Sequence, residues 1–102
     1  SNVTNMKNMF SGIKVSELDL SSFDTSIVKY MDGMFSWNYK LERIFASDKF
    51  VTDNVINSNG MFGPNDMLVG GAGTKYNSSY TDKTYARIDT SSTPGYFTLK
   101  TT

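Results

Sequence analysis

The sequence predicts an α/β repeat solenoid of short parallel strands and short helices, closed by a C-terminal β-hairpin cap. Three observations point there. An eight-residue string occurs three times: Val3-Thr4-Asn5-Met6-Lys7-Asn8-Met9-Phe10, then Val28-Lys29-Tyr30-Met31-Asp32-Gly33-Met34-Phe35 25 residues later, then Val55-Ile56-Asn57-Ser58-Asn59-Gly60-Met61-Phe62 after a further 27. A period of this size marks coils that bury their apolar sides only against neighbours. The first two copies lead into short alternating stretches, and the repeat dissolves after residue 69. Residues 1–69 therefore read as about two and a half repeats of 25–27 residues. Residues 70–102 read as a capping segment of the same single domain.

Each repeat opens on a helical signal. Val28 and Met31 are spaced i, i+3, with Phe35 at i+7, so all three can share one helix face. Ser1, Ser26 and Asp53, each two residues before the Val, are good N-cap types. Asn8, Gly33 and Gly60 follow the Val by five residues and are the types that tolerate positive φ, so a short helix can stop there and turn Met-Phe inward. Phe10, Phe35 and Phe62 then stack as a ladder between coils, and the methionines at 6, 9, 31, 34, 61 and 67 read as core packing.

The strands come next. Val15-Ser16-Glu17-Leu18-Asp19-Leu20 alternates with period two, as a half-buried strand does. Leu41-Glu42-Arg43-Ile44-Phe45-Ala46 is its counterpart, with Leu41 matching Val15 and Ile44 matching Leu18. In Met67-Leu68-Val69-Gly70-Gly71, Leu68 takes the place of Ile44. Phe23 and Phe50 follow as second anchors. Beyond Gly70, the runs Tyr85-Ala86-Arg87-Ile88-Asp89 and Tyr96-Phe97-Thr98-Leu99 flank Thr90–Gly95 and read as the capping hairpin, because an open stack end needs a polar cover.

Composition narrows the function classes. Ten basic residues balance ten acidic ones, and neither sign forms a block. Nucleic acid and anionic membranes, which call for clustered Lys and Arg, are poor partners for such a chain. No stretch is long and apolar enough to span a bilayer. Mean hydropathy is −0.36. The 14% of aromatic residues and six methionines supply much of the core material. Cysteine and histidine are both absent, which removes thiolate zinc sites and the commonest general base. The chain begins inside a repeat and without Met, so it reads as a fragment of something longer.

Candidate chemistry is sparse. Glu17 and Asp19 share one strand face about 7 Å apart, and a solvated strand edge accounts for them better than a catalytic acid pair. Gly70-Gly71-Ala72-Gly73 with Lys75 fits neither phosphate-loop spacing and reads as a closing loop. Asn57-Ser58-Asn59-Gly60 with Asp66 lacks the bidentate Glu of a calcium loop and reads as a turn. No catalytic residue, metal or cofactor is assigned. Trp37 and Tyr39 stand where the first repeat has Gly12 and Ile13. They either pack over the coil edge or present rigid contact area. Alternation turns Glu17 and Asp19 outward on the first strand and Arg43 and Phe45 on the second, with Arg43 beside Glu17 about 5 Å away. Arg87 extends this strip if residues 85–89 join the sheet.

The strings Asn2-Val3-Thr4-Asn5-Met6 with Asn8-Met9-Phe10, and Leu18-Asp19-Leu20-Ser21-Ser22-Phe23-Asp24-Thr25-Ser26, resemble the repeats of BspA-like bacterial surface proteins. Leu68-Val69-Gly70-Gly71-Ala72-Gly73-Thr74, Tyr85–Asp89 and Pro94-Gly95-Tyr96-Phe97-Thr98 resemble the closing segment of such arrays. The resemblance covers almost the whole chain. Arg43-Ile44-Phe45-Ala46 in place of Leu-Asp-Leu, and Ser58 in place of the first Met, depart from it. It implies leucine-rich-repeat-like units on an exported bacterial protein, located at the cell surface and engaged in adhesion to a host or extracellular protein or glycan. It carries over no catalytic residue. The expected function is thus a non-catalytic binding module with Glu17, Asp19, Arg43, Phe45, Trp37, Tyr39 and Arg87 as contact residues. A structural cap or spacer is the alternative, and a carbohydrate-active enzyme with paired carboxylates a remote one. Such a chain is expected to be monomeric apart from contacts at its N-terminal coil.

Overall fold

The three copies lie on one another layer by layer, and their backbone N–H groups point between layers instead of along a helix. Asn8, Phe10 and Gly12 donate to the carbonyls of Asp32, Met34 and Ser36; Gly33, Phe35 and Trp37 donate in turn to Asn59, Met61 and Gly63. The alternate residues close tight turns within each layer, Met34 to Met31 and Ser36 to Gly33, Met61 to Ser58 and Gly63 to Gly60. The computed structural model describes residues 4–100. Ser1 and Val3, read as the first copy's N-cap and first apolar residue, lie outside the described residues.

This pattern corrects the expected α/β repeat solenoid. Among the described residues there is no α-helix, only a 3-10 turn at Lys83–Tyr85. The spacing that suggests helix belongs to a run of turns: Val28, Met34 and Ser36 N–H close i+3 to i bonds to Thr25, Met31 and Gly33, while the Met31 N–H leaves the run for Asn57 O in the next layer. Their path is set by left-handed residues at one place in every copy, Asn8 (φ 56), Gly33 (φ 61) and Gly60 (φ 62). A right-handed helix cannot run through such a residue. The result is a body of 31 × 28 × 23 Å with one small sheet.

That sheet has three parallel strands in the order β1 (Glu17–Leu20), β2 (Arg43–Ala46), β3 (Phe97–Leu99). Glu17 pairs with Arg43 and Leu18 with Ile44, as the aligned repeats require. The third strand is the surprise. Val69 N–H donates to Glu42 O, so the third layer does stack on the second, but with Leu68 in the place of Leu41 and not, as expected, of Ile44. At Gly70 the chain then turns off, and Phe97 takes the place beside Ile44. The expected β-hairpin cap does not form either: β3 runs parallel to β2, and Ile88 makes a single parallel bridge to Phe97.

The core lies between the turns and the sheet. Phe10, Phe35 and Phe62 stack at 5.8 and 5.3 Å with interplanar angles of 8° and 11°. Tyr96 closes the column edge-on to Phe62 at 4.9 Å, and Phe97 sits edge-on to Phe50 at 4.7 Å. Met6, Met31, Met34 and Met61 are buried, whereas Met9 and Met67 are exposed, which corrects the reading of all six as core. Beside the phenylalanines runs a ladder the repeats do not advertise. Asn38 Nδ2 donates to the carbonyls of Phe10 and Phe35, and Asn65 Nδ2 to those of Phe35 and Phe62, with both side chains fully buried.

Candidate functional site

Two surfaces carry the residues singled out from the sequence. The first is the outer face of the sheet, where Glu17, Asp19, Arg43 and Phe45 are brought together by the β1–β2 register. Arg43 lies opposite Glu17 along the backbone but makes no ion pair with it. Its guanidinium instead donates to the carbonyls of Gly70 at 2.9 Å and Val69 at 3.4 Å, just where the chain leaves the sheet. Arg43 is thus occupied in bracing a turn. Phe45 points outward and is half-buried, covered by Lys100, whose Nζ stands 5.2 Å from the ring centre. The same ammonium reaches Asp19 at 3.5 Å, the only ion pair among the described residues.

Asp19 also accepts from the Ser21 N–H at 2.9 Å. The Ser21 hydroxyl and N–H lower its pKa, with Lys100 assisting. A general acid needs the opposite shift. Arg87 lies apart from this strip. Its Nε donates to Pro94 O at 2.7 Å and its guanidinium rests 5.6 Å from the Tyr85 ring centre. The outer face is therefore a surface whose charges are largely spent on its own chain.

The second surface is the edge of the layered turns. Trp37 and Tyr39 are each 59% exposed, their ring centres 6.3 Å apart at 67°. They wall an open depression of about 360 Å³ whose other sides are Gly12, Ile13, Lys14 and Lys40. Trp37 has φ 61. In the layer below, the same place is held by Gly12 at φ 68, since Gly12 and Trp37 make equivalent interlayer bonds to Ser36 and Gly63. A bulky residue in left-handed backbone is strained by about 1–2 kcal/mol. Packing does not explain the strain, because the indole faces solvent. Asn38 next to it is fully buried and tied to Phe10 and Phe35, so the backbone that aims Trp37 and Tyr39 is held from inside.

Residues 70–74 turn back on themselves, Gly73 N–H donating to Gly70 O and Gly70 N–H to Thr74 O. They do wrap an anion, but it is the chain's own Asp89. Its carboxylate accepts from Ala72 N, Thr74 N, Thr74 Oγ1 and Gly95 N at 2.7–3.1 Å. Burial opposes its ionisation, and these bonds outweigh burial, so its pKa is lowered. Gly70 has no room for a Cβ, which would meet Asp89 and the Gly95 carbonyl. Around Asn57–Gly60, the Ser58 carbonyl closes a turn with Met61 N–H, and Ser58 Oγ accepts from the distant Lys83 N. Among the described residues no group of three acidic, His or Cys side chains is placed to hold a metal ion. No helix there is long and apolar enough to cross a membrane.

Sequence reasoning missed Asn38, Asn65, Lys14, Lys40 and Lys100. The asparagines carry a signal, Phe-x-x-Asn in two copies (Phe35–Asn38 and Phe62–Asn65), masked because the first copy has Ile13 there. Lys100 carries none, since it meets Phe45 only once β3 has docked.

A family model described as "Mycoplasma protein of unknown function, DUF285" matches residues 1–91. No curated protein and no solved structure matches the chain.

Proposed function

We propose, for a chain that belongs to the DUF285 family of Mycoplasma proteins of unknown function, the role of a non-catalytic binding module on a bacterial cell surface. The observation that carries this reading is Trp37: a large aromatic ring, mostly in solvent, held on backbone that the preceding layer gives to glycine. Strain and an exposed indole both work against stability, so their presence together supports a contact role. Tyr39 adds a second rigid ring, and the stacked turns behind them supply the preorganised base that binding favours. The likeness of Leu18–Ser26 to BspA-like repeats supports the surface location and adhesion to protein or glycan. The lowered pKa of Asp19 and its pairing with Lys100 speak for a solvated strand edge and against acid catalysis.

A second reading, a cap or spacer within a longer array, draws support from the sheet face. There Arg43 is engaged by carbonyls and Phe45 lies under Lys100, which leaves little for a partner. One experiment separates the two. Immobilised extracellular-matrix proteins and glycans are screened against the wild type, a Trp37→Gly, Tyr39→Ser variant, and a Phe45→Ser, Arg43→Ala variant, each checked for folding by circular dichroism. Binding lost only in the first variant supports the turn-edge site. Binding lost only in the second moves the site to the sheet. A wild type that binds nothing on the panel leaves the spacer role.

A further inference from the structure

Building on the binding-module reading, we propose that the depression beside Trp37 takes a carboxylated carbohydrate, with one sugar ring against the aromatic walls and its acid group at the lysine rim. The rings of Trp37 and Tyr39 meet at 67°, so the depression presents two apolar faces at an angle. That shape suits a puckered pyranose, which has an apolar C–H face and a polar rim, better than a flat ring needing parallel plates. The floor is open at Gly12, where an added Cβ would meet nothing within 4 Å. A volume of about 360 Å³ is at the small end of ligand sites, which run from about 300 to 1,000 Å³.

Charge narrows the class further. The depression is lined by Lys14 and Lys40 and by no acidic residue. Neither lysine makes an ion pair among the described residues, where the only one is Lys100–Asp19. In a chain of zero net charge, two lysines lining one depression with two exposed rings, and no acidic residue in that lining, make it locally positive. A carboxylate on the bound sugar complements it. Single-stranded nucleic acid, which also combines rings with anions, needs a basic track along its backbone and platforms for successive bases. Two lysines and one angled ring pair do not provide that.

The test is titration of the chain, by NMR or calorimetry, with trigalacturonate, with the same trisaccharide reduced at its carboxyls, and with a short oligodeoxythymidine. The acid form is expected to bind best, and to weaken as salt rises. Trp37→Gly should weaken it at least about tenfold. A Lys14→Gln, Lys40→Gln double variant should weaken the acid form severalfold and leave the neutral form unchanged. Equal binding of the acid and neutral sugars would overturn the carboxylate assignment while leaving the binding module intact. Tighter binding of the oligonucleotide, or no binding of either sugar by the folded wild type, would overturn the carbohydrate assignment. The fate of the module reading would then rest on the wider panel above.

Discussion

Trp37 occupies, in the second layer, the left-handed backbone position that Gly12 occupies in the first. The two have φ values of 61 and 68 and make the same interlayer bond, to Gly63 O and Ser36 O respectively. The third layer has Pro64 there. One structural slot is thus filled by the residue suited to it, by one excluded from its left-handed form, and by one strained in it. The strained one is the exposed aromatic of the candidate site.

Replacing Trp37 by Gly should therefore stabilise the fold. Relief of about 1–2 kcal/mol of strain is set against the 0.5–1 kcal/mol that glycine costs through backbone entropy, for a net gain of about 0–1.5 kcal/mol. Urea denaturation measures it. A loss exceeding about 1 kcal/mol would show that the indole packs on the layer edge and that its exposure is not free surface.

The phenylalanine column gives graded costs. Phe35 and Phe62 are both fully buried, the latter because Tyr96 covers it, so each change to Ala should cost about 3–5 kcal/mol. Phe10, half-buried at the other end, should cost clearly less. Equal costs at all three positions, by denaturant midpoint, would contradict this order.

Asn65→Ala should cost about 1–3 kcal/mol, because the carbonyl of Phe62 loses its buried side-chain donor and that of Phe35 keeps only Asn38. Asn65→Asp should be worse, since it turns the donor into an acceptor facing two carbonyls. Thermal unfolding of the two variants gives the comparison, and a milder effect of Asp than of Ala would refute the ladder.

Asp89 sets an acid limb. Its folded pKa is lowered from the ordinary 3.8, against burial, by bonds from Thr74, Gly95 and Ala72. A depressed carboxyl contributes stability that is present above the unfolded pKa and lost as pH falls through the folded one. The gap in stability between wild type and Asp89→Asn should be widest near neutral pH and shrink below about pH 4. Asp19, Asp24 and Asp82 shift in the same direction, and comparing the two proteins removes their share. A gap independent of pH would mean that Asp89 acts by shape and not by charge.

What the sequence determined is whatever repeats. Aligning three copies was enough to place Asn8, Gly33 and Gly60 at positive φ, to stack Phe10, Phe35 and Phe62, and to set Glu17 opposite Arg43, because equivalent residues in stacked layers must face one another. It also brought out Trp37 and Tyr39 as a departure between copies. The local spacing misled over the helix because two structures share it: turns and a helix both put i beside i+3, and the neighbouring layer, by accepting the alternate N–H groups, decides for turns. Tertiary structure alone decided what happens once. Phe97–Leu99 supplies the third strand because Gly70, crowded by Asp89 and Gly95, turns the chain off the sheet. The same docking brings Lys100 over Phe45 and sends Arg43 to the Gly70 carbonyl. Those partners lie 27 or more residues apart with no second copy to align, so nothing local in the sequence ties one to the other.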